Sequence, residues 1–400
     1  MKILVANISS TSLKWRLYDF SFNNERLLHK GGLERIIDYP KAIDDCLAQL
    51  RTAGAIISEK DLAAVGFRTV VAQGVVGWVQ IDDSVLKAME AFNGLAPTDN
   101  PPCINGIRLF AKRLPDVPLV GLFETAFYGF APEAAMRYAV PDSWYRAGVR
   151  RWGFHGASHK FIAERSAELL GRNDVVERVR HLYVDGGTTP VNQPDLRVIS
   201  CHLGPSSSIT GILNGVAIGN SMGFSPQSGM PQNTRVGDLD PFAVPFAMRT
   251  LKLSLTEVER HLCKESGMKG VSGVSNDIGD IQAAAAKGNT RAKLALDVFA
   301  GGVRHWLGSF LVQLNGADAL VFTASIGEND PVTRADICAN LDQLGIVLDA
   351  AKNQAAQAQE ATISAANSRV KVMVIPTNED LVVARETKRF LEMPKGWSIF

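Results

Sequence analysis

The sequence predicts a two-lobed α/β protein built on a duplicated unit, and three stretches predict it. Near the N-terminus an apolar run, residues 3–6, is followed by the hydroxyl-rich turn Asn7-Ile8-Ser9-Ser10-Thr11-Ser12 and a second strand at 13–19. Much later, apolar runs at 198–203 and 209–213 repeat that shape around Gly204-Pro205-Ser206-Ser207-Ser208. Small polar residues fill ordinary hairpin turns, but consecutive N–H groups and Ser hydroxyls in such turns also converge on anions. The third stretch is a strand at 319–323 running through Ala324-Ser325-Ile326-Gly327-Glu328-Asn329 into a helix. That is where a nucleotide's sugar and α-phosphate are commonly held.

The 400 residues suffice for two or three domains. A hydrophobic content of 46%, a charged content of 21% and a net charge of +1 describe an ordinary globular chain with no signal for nucleic acid or a membrane surface. No apolar run approaches a membrane span, and residues 3–6 are too few for a signal-peptide core. The five Cys (46, 103, 201, 263 and 338) and seven His show no metal-ligand spacing, which predicts reduced thiols and a cytoplasmic location.

In chain order, helical spacing of Ile43, Cys46, Leu47 and Leu50 predicts a helix over 39–53. Strands are expected at 62–68 and within 71–82, a capped helix at 83–92, a Gly/Pro-rich loop at 93–102, a helix at 106–114 and a buried strand at 118–123. From residue 125 the pattern loosens into loop, with a helix at 159–171. One long helical run is expected over 281–314, then a strand at 373–375 and a closing helix at 381–391.

Taken together, these motifs resemble the acetokinase family of short-chain carboxylate kinases. The likeness rests on Asn7 to Lys14, Gly66-Phe67-Arg68, Leu95-Ala96-Pro97 with Asn100-Pro101, and Glu124-Thr125-Ala126-Phe127. It continues through Gly153-Phe154-His155-Gly156, His202-Leu203-Gly204, Ser221-Met222-Gly223-Phe224, Thr234-Arg235 with Gly237-Asp238, Ile326-Gly327-Glu328-Asn329 and Pro376-Thr377-Asn378-Glu379. The resemblance implies the actin/hexokinase-like (ribonuclease H-like) architecture: duplicated βββαβαβα domains with a cleft between them. It places residues 1–124 with 381–400 in an N-terminal lobe and 125–380 in a C-terminal lobe. It further implies a homodimer, ATP as co-substrate, Mg²⁺ (or Mn²⁺), and in-line transfer of the γ-phosphoryl group to acetate or a related acid.

Residue by residue, the resemblance implies that Arg68, Glu124, His155 and Arg235 act at the transferring phosphoryl group. Guanidinium forks match phosphate and carboxylate geometry, which suits the two arginines to that work. Asn7 and Glu379 are implied at the metal. Ser10, Ser12, Lys14, His202, Leu203, Gly204, Ser206, Asp277, Ile326, Gly327 and Asn329 are implied around phosphates and nucleotide, although Lys14 reads equally as an exposed strand lysine. Val70, Thr98, Phe154 and Pro226 are implied around the acyl chain.

The chain also departs from the family pattern. Glu124 stands where the family has Asp, Pro205 where it has Asn, Ala324-Ser325 where it has Gly-Gly, and Gly279 where it has Arg; Thr98-Asp99 make the acyl side more polar. Those changes motivate an alternative with another donor, such as pyrophosphate, or a more polar acid. A non-catalytic binding paralogue is the other alternative; retention of both arginines and Glu379 counts against it.

Overall fold

Two six-stranded sheets with the same strand order organise the chain, in a computed structural model that describes residues 1–21 and 25–394. Contacts divide the chain into two units. The first comprises Met1–Gly129, His155–Phe161 and the segment from Asn378 on; the second comprises Phe130–Phe154 and Ile162–Thr377. Residues 395–400, assigned above to the N-terminal lobe, lie outside the described residues.

The first sheet takes β1 (Lys2–Ile8), β2 (Ser12–Asp19), β3 (Arg26–Glu34), β4 (Leu62–Thr69), β5 (Trp78–Gln80) and β6 (Leu119–Phe123) in the order β3-β2-β1-β4-β6-β5. β1, β2 and β3 form an antiparallel meander, β1, β4 and β6 run parallel, and β5 is an antiparallel edge. The second sheet takes β7 (Arg197–His202), β8 (Ser208–Leu213), β9 (Val216–Asn220), β10 (Ala319–Thr323), β11 (Ala361–Thr362) and β12 (Lys371–Val374). Its order β11-β12-β10-β7-β8-β9, with β7, β10 and β12 parallel, repeats the first sheet strand for strand. The chain is thus an α/β protein with a duplicated topology.

Burial explains why these stretches become strands. Ile3, Leu4, Val5 and Ala6 of β1 and all of Ala319–Thr323 are buried, the continuous apolar pattern of parallel strands covered on both faces. In the first unit the helix Tyr39–Thr52 packs Ile43, Cys46, Leu47 and Leu50 into the same core as Cys103, Ile104, Ile107 and Phe110 of the helix Asn100–Arg113. The helix Glu379–Glu392 lies close over β4: a Cβ on Gly66 would sit 2.5 Å from Thr387 Oγ1, so only glycine admits the helix there. In the second unit the helix Thr290–Gln313 contributes Phe299, Val303, Leu307 and Phe310 to a core shared with Leu320, Phe322, Val372 and Val374.

Several expectations need correction. β3, β9 and the helix Asn173–Asp185 were not anticipated. The helix expected at 106–114 begins at Asn100, because Pro101 and Pro102 occupy its first turn, where a missing N–H costs nothing. The run at 281–314 is two helices, Ile278–Ala286 and Thr290–Gln313. Gly288 at φ +90° breaks it, and Asn289 caps the second helix by accepting from Ala292 N at 3.0 Å. Residues 324–329, expected as a turn leading into a helix, are themselves a short helix, and the stretch after 125 carries short helices at Glu133–Met136 and Asp142–Arg146.

Candidate functional site

In each sheet, several of the residues singled out above gather where the parallel strands end at their carboxyl termini, the edge at which open α/β sheets bind ligands. In the first unit β1 pairs Ala6 with Phe67 of β4, which sets Asn7 beside Arg68; β4 pairs Arg68 with Leu122 of β6, two residues before Glu124. Arg68 Nε lies 3.3 Å from Glu124 Oε1, and its Nη1 donates to Glu379 Oε2. The cluster therefore sets two carboxylates, a formal charge of −2, against one guanidinium. Burial pushes the Glu124 carboxyl well above the ordinary carboxylate value; the Arg68 charge pulls it down, and Glu379 pushes it up again. Glu124 Oε2 is buried with no hydrogen-bond partner.

That orphaned oxygen is available to a metal ion. Mg²⁺ uses one or two protein carboxylates and completes its shell with phosphate oxygens and water. Glu124 and Glu379, with Asn7 on the neighbouring strand, fit such a set, although no group of three or more His, Cys, Asp or Glu forms a ready-made cage among the described residues.

Two helices present their first residues to this region. Glu379 opens Glu379–Glu392, capped by Asn378, whose side chain accepts from Leu381 N at 3.3 Å and from Arg16 Nη1 at 3.0 Å. Arg16 Nε also meets Asp380 Oδ2 at 2.9 Å, a bracing pair that the sequence did not signal. His155 precedes the helix Gly156–Leu169 and stands at φ +57°, a left-handed conformation uncommon outside glycine. Gly156 N donates to Glu124 O at 3.0 Å, and a Cβ on Gly156 would lie 2.2 Å from that oxygen. His155 is thus seated on the Glu124 backbone through a neighbour that must be glycine. Five residues on, Lys160 Nζ lies 3.1 Å from Glu386 Oε1, both side chains almost fully buried, which pins this segment to the helix Glu379–Glu392. His159 is buried and continues the helix, its N–H donating to His155 O.

The second unit assembles a different set. Leu203 N donates to Thr323 O at 2.9 Å, and Leu203 O accepts from Ile326 and Gly327 N at 2.8 and 3.0 Å, tying the β7 turn to the β10 turn. Within the turn, Gly204 N donates to Ser207 Oγ at 3.1 Å and Ser207 Oγ donates to Gly204 O at 2.9 Å. Pro205 sits exposed at the tip, so its missing N–H leaves this internal bonding intact. Arg235 Nη1 donates to Ser206 Oγ at 2.8 Å, which brings a guanidinium onto the turn. His202 is buried at the end of β7.

Glu328, a residue assigned no role above, closes this edge: its Oε1 accepts from Ala324 N at 2.8 Å and Thr377 N at 3.1 Å, joining the segments after β10 and β12. Arg334, wholly buried, supports it from behind by donating to Gly327 O at 2.9 Å. Ala324 itself stands at φ +64°. An L-residue pays roughly 1–2 kcal/mol there, against a smaller entropic cost for glycine. Ala324→Gly is therefore expected to raise the unfolding free energy by roughly 0.5–1 kcal/mol; denaturant titration showing equal or lower stability contradicts strain at 324.

The remaining candidates are placed less suggestively. Ser12 Oγ shares a 2.7 Å hydrogen bond with Ser9 Oγ in the first turn, and Ser10 is exposed. Lys14 pairs with Glu34 across β2 and β3 at 3.1 Å, both largely exposed, which accounts for it as a surface lysine. The Asp277 carboxylate caps the helix Ile278–Ala286, accepting from Gly279 and Asp280 N. Asn329 Nδ2 donates to Ser325 O at 2.9 Å. Val70 is half-buried just after β4 and Thr98 is exposed, donating to Asp99 Oδ2 at 2.8 Å. Phe154 and Pro226, in the second unit, are buried.

Comparison with known proteins identifies the relatives of this arrangement. The sequence profile of the acetokinase family matches residues 30–385. The chain is 40% identical over 414 residues to an acetate kinase of Clostridium botulinum (strain Kyoto / Type A2), across 97% of this chain and 99% of that protein. Among solved structures, Porphyromonas gingivalis acetate kinase superposes with a TM-score of 0.83 at 32% identity, covering 98% of this chain and 100% of that one. A propionate kinase from Francisella tularensis gives 0.81 at 31%, covering 96% and 98%. With the fold of those kinases and a family match across most of its length, the chain belongs to the acetokinase family.

Proposed function

We propose that the chain is a carboxylate kinase: a carboxylate oxygen of acetate or a related short-chain acid attacks the γ-phosphorus of ATP, the bond to the ADP oxygen breaks, and acyl phosphate and ADP result. The observation that carries this reading is the Arg68–Glu124–Glu379 cluster at the strand ends of a chain that acetate kinases match end to end. Phosphoryl transfer asks a protein for positioning and for cations around the phosphoryl oxygens, with little covalent chemistry. In the first unit Arg68 would supply a charge held in place by two carboxylates, and His155 a donor fixed by its strained backbone. In the second, Arg235 and the turn 204–208 would receive phosphate oxygens. Asn7 and Glu379, with the spare Glu124 oxygen, would hold Mg²⁺ or Mn²⁺, which when bound neutralises charge on the transferring group. Val70, Thr98, Phe154 and Pro226 are retained as contacts of the acid.

A specific observation keeps a second reading alive. A Cβ built on Gly204 would meet Ser325 Oγ at 3.4 Å and Ala324 Cβ at 3.7 Å, ordinary contact distances that place the side chains of 324 and 325 beside the phosphate turn. Side chains at that position, where the family has glycines, would favour a donor smaller than ATP. We also propose a homodimer and a cytoplasmic location. Phe242, Phe246, Leu251 and Leu255 are largely exposed around the helix Ala243–Leu251, an apolar patch suited to a second copy, and all five cysteines are free thiols.

The test crosses ATP, GTP and pyrophosphate against acetate, propionate, butyrate and hydroxylated short acids with Mg²⁺, trapping acyl phosphate as hydroxamate. Turnover with ATP and acetate supports the first reading. Turnover with pyrophosphate alone moves the assignment to the second. Silence across the grid rejects both.

A further inference from the structure

At the heart of the second unit's candidate site lies a side chain to which nothing above assigns a role, Gln232. Its accessible surface is zero. A buried amide is costly unless both of its ends are bonded, and here both ends reach a different part of the site. Gln232 Oε1 accepts from Ser207 N at 3.2 Å, inside the phosphate turn. Gln232 Nε2 donates to Pro226 O at 2.8 Å, in the segment proposed to face the acid. Its backbone completes the junction: Gln232 N donates to Arg235 O at 3.1 Å and Gln232 O accepts from Met268 N at 2.8 Å. Behind it, Gly267 stands at φ +61°, and a Cβ there would lie 2.0 Å from Gln232 O, so the packing leaves this residue no slack.

We propose that Gln232 is a positioning residue that sets the phosphate turn and the Pro226 segment independently, through the two ends of one amide, while its backbone seats Arg235. The proposal rests on the carboxylate-kinase reading for what the two segments bind. Ser207 links Gln232 to Gly204 through its own hydroxyl, so the amide oxygen fixes the turn as far as the end of β7. Because Ser207 N–H is engaged by Gln232, the turn holds its shape before any phosphate arrives. The side chain is neutral and adds no charge to the field around Arg235.

The two ends can be separated by substitution. Gln232→Glu keeps an acceptor for Ser207 but loses the donor to Pro226 O; Gln232→Met, of similar length, loses both. The measurements are the KM values for MgATP and for acetate taken separately, and the affinity for a fluorescent ATP analogue without acid. For Gln232→Glu, the lost donor is expected to raise the acid KM about tenfold, the cost of one unmet buried group, while the added negative charge weakens nucleotide affinity by no more than about threefold. For Gln232→Met both are weakened by about tenfold. Mild acidification protonates the introduced carboxyl, restores a donor, and brings the acid KM of Gln232→Glu back toward wild type; a merely structural residue shows no such pH response. Equal changes in both KM values for both variants, or none in either, overturn the proposal. A wild type that makes no acyl phosphate sinks the kinase reading instead. Analogue binding then decides for Gln232: weakening that is larger in Gln232→Met than in Gln232→Glu supports its role, and equal binding in both variants rejects it.

Discussion

Arg68→Ala is expected to lower turnover about a thousandfold, the scale on which a guanidinium at a transferring phosphoryl group acts, and to destabilise the protein at the same time. Arg68 is the cation between Glu124 and Glu379, whose side chains are only 5% and 12% exposed. Removing one partner from a buried charge cluster costs about 3–5 kcal/mol; the partial exposure of Arg68 puts the expected loss at the low end. The pH dependence has a definite sign. Burial raises the Glu124 carboxyl above its ordinary 4.5 in the folded protein. Its contribution to stability is therefore present in full below 4.5 and is lost as pH rises through the raised folded value. Without Arg68 that value rises further, so Arg68→Ala regains stability on mild acidification. Denaturant unfolding near neutral and at mildly acid pH tests this. A variant as stable as wild type at neutral pH, or one further destabilised by acid, contradicts the cluster's electrostatics.

Glu379→Gln is expected to leave the helix Glu379–Glu392 in place, because the Asn378 cap and the Arg16–Asp380 pair remain. It nevertheless removes the charge that Arg68 Nη1 faces and one of the two carboxylates that fit a metal. The expected result is a fall in kcat/KM of about a hundredfold or more, with the half-saturating Mg²⁺ concentration raised about tenfold. Titrating Mg²⁺ at fixed substrate separates these effects. An unchanged metal requirement would remove Glu379 from the metal site even if activity fell.

Much of this was legible in the sequence because its signals were local. The turns 7–12 and 204–208, the arginine near the end of β4 and the carboxylate after β6 all follow buried apolar runs. What was missed has identifiable causes. β3 is an edge strand with no buried residue, and Gly31 is required there because a Cβ would lie 2.3 Å from the Trp15 ring. β9 did carry a signal: Asn214-Gly215, both at positive φ, is the two-residue hairpin turn that joins it to β8. The helix Asn173–Asp185 buries Val175, Val176, Val179, Leu182 and Tyr183 at helical spacing, and that period was there to be read. Gln232 and Arg16 were not legible at all, and Glu328 was legible only as part of the stretch 326–329, without its bracing role. Each acts through contacts between segments far apart in the chain, and a lone polar residue in a sequence does not announce its partners.

The central claim is direct transfer from ATP to a carboxylate, and phosphorus NMR of the purified chain with MgATP and acetate tests it most directly. The account predicts an acyl phosphate resonance that grows in step with ADP. Inorganic phosphate accumulating with ADP in place of acyl phosphate, or no loss of the γ-phosphoryl signal, would contradict it.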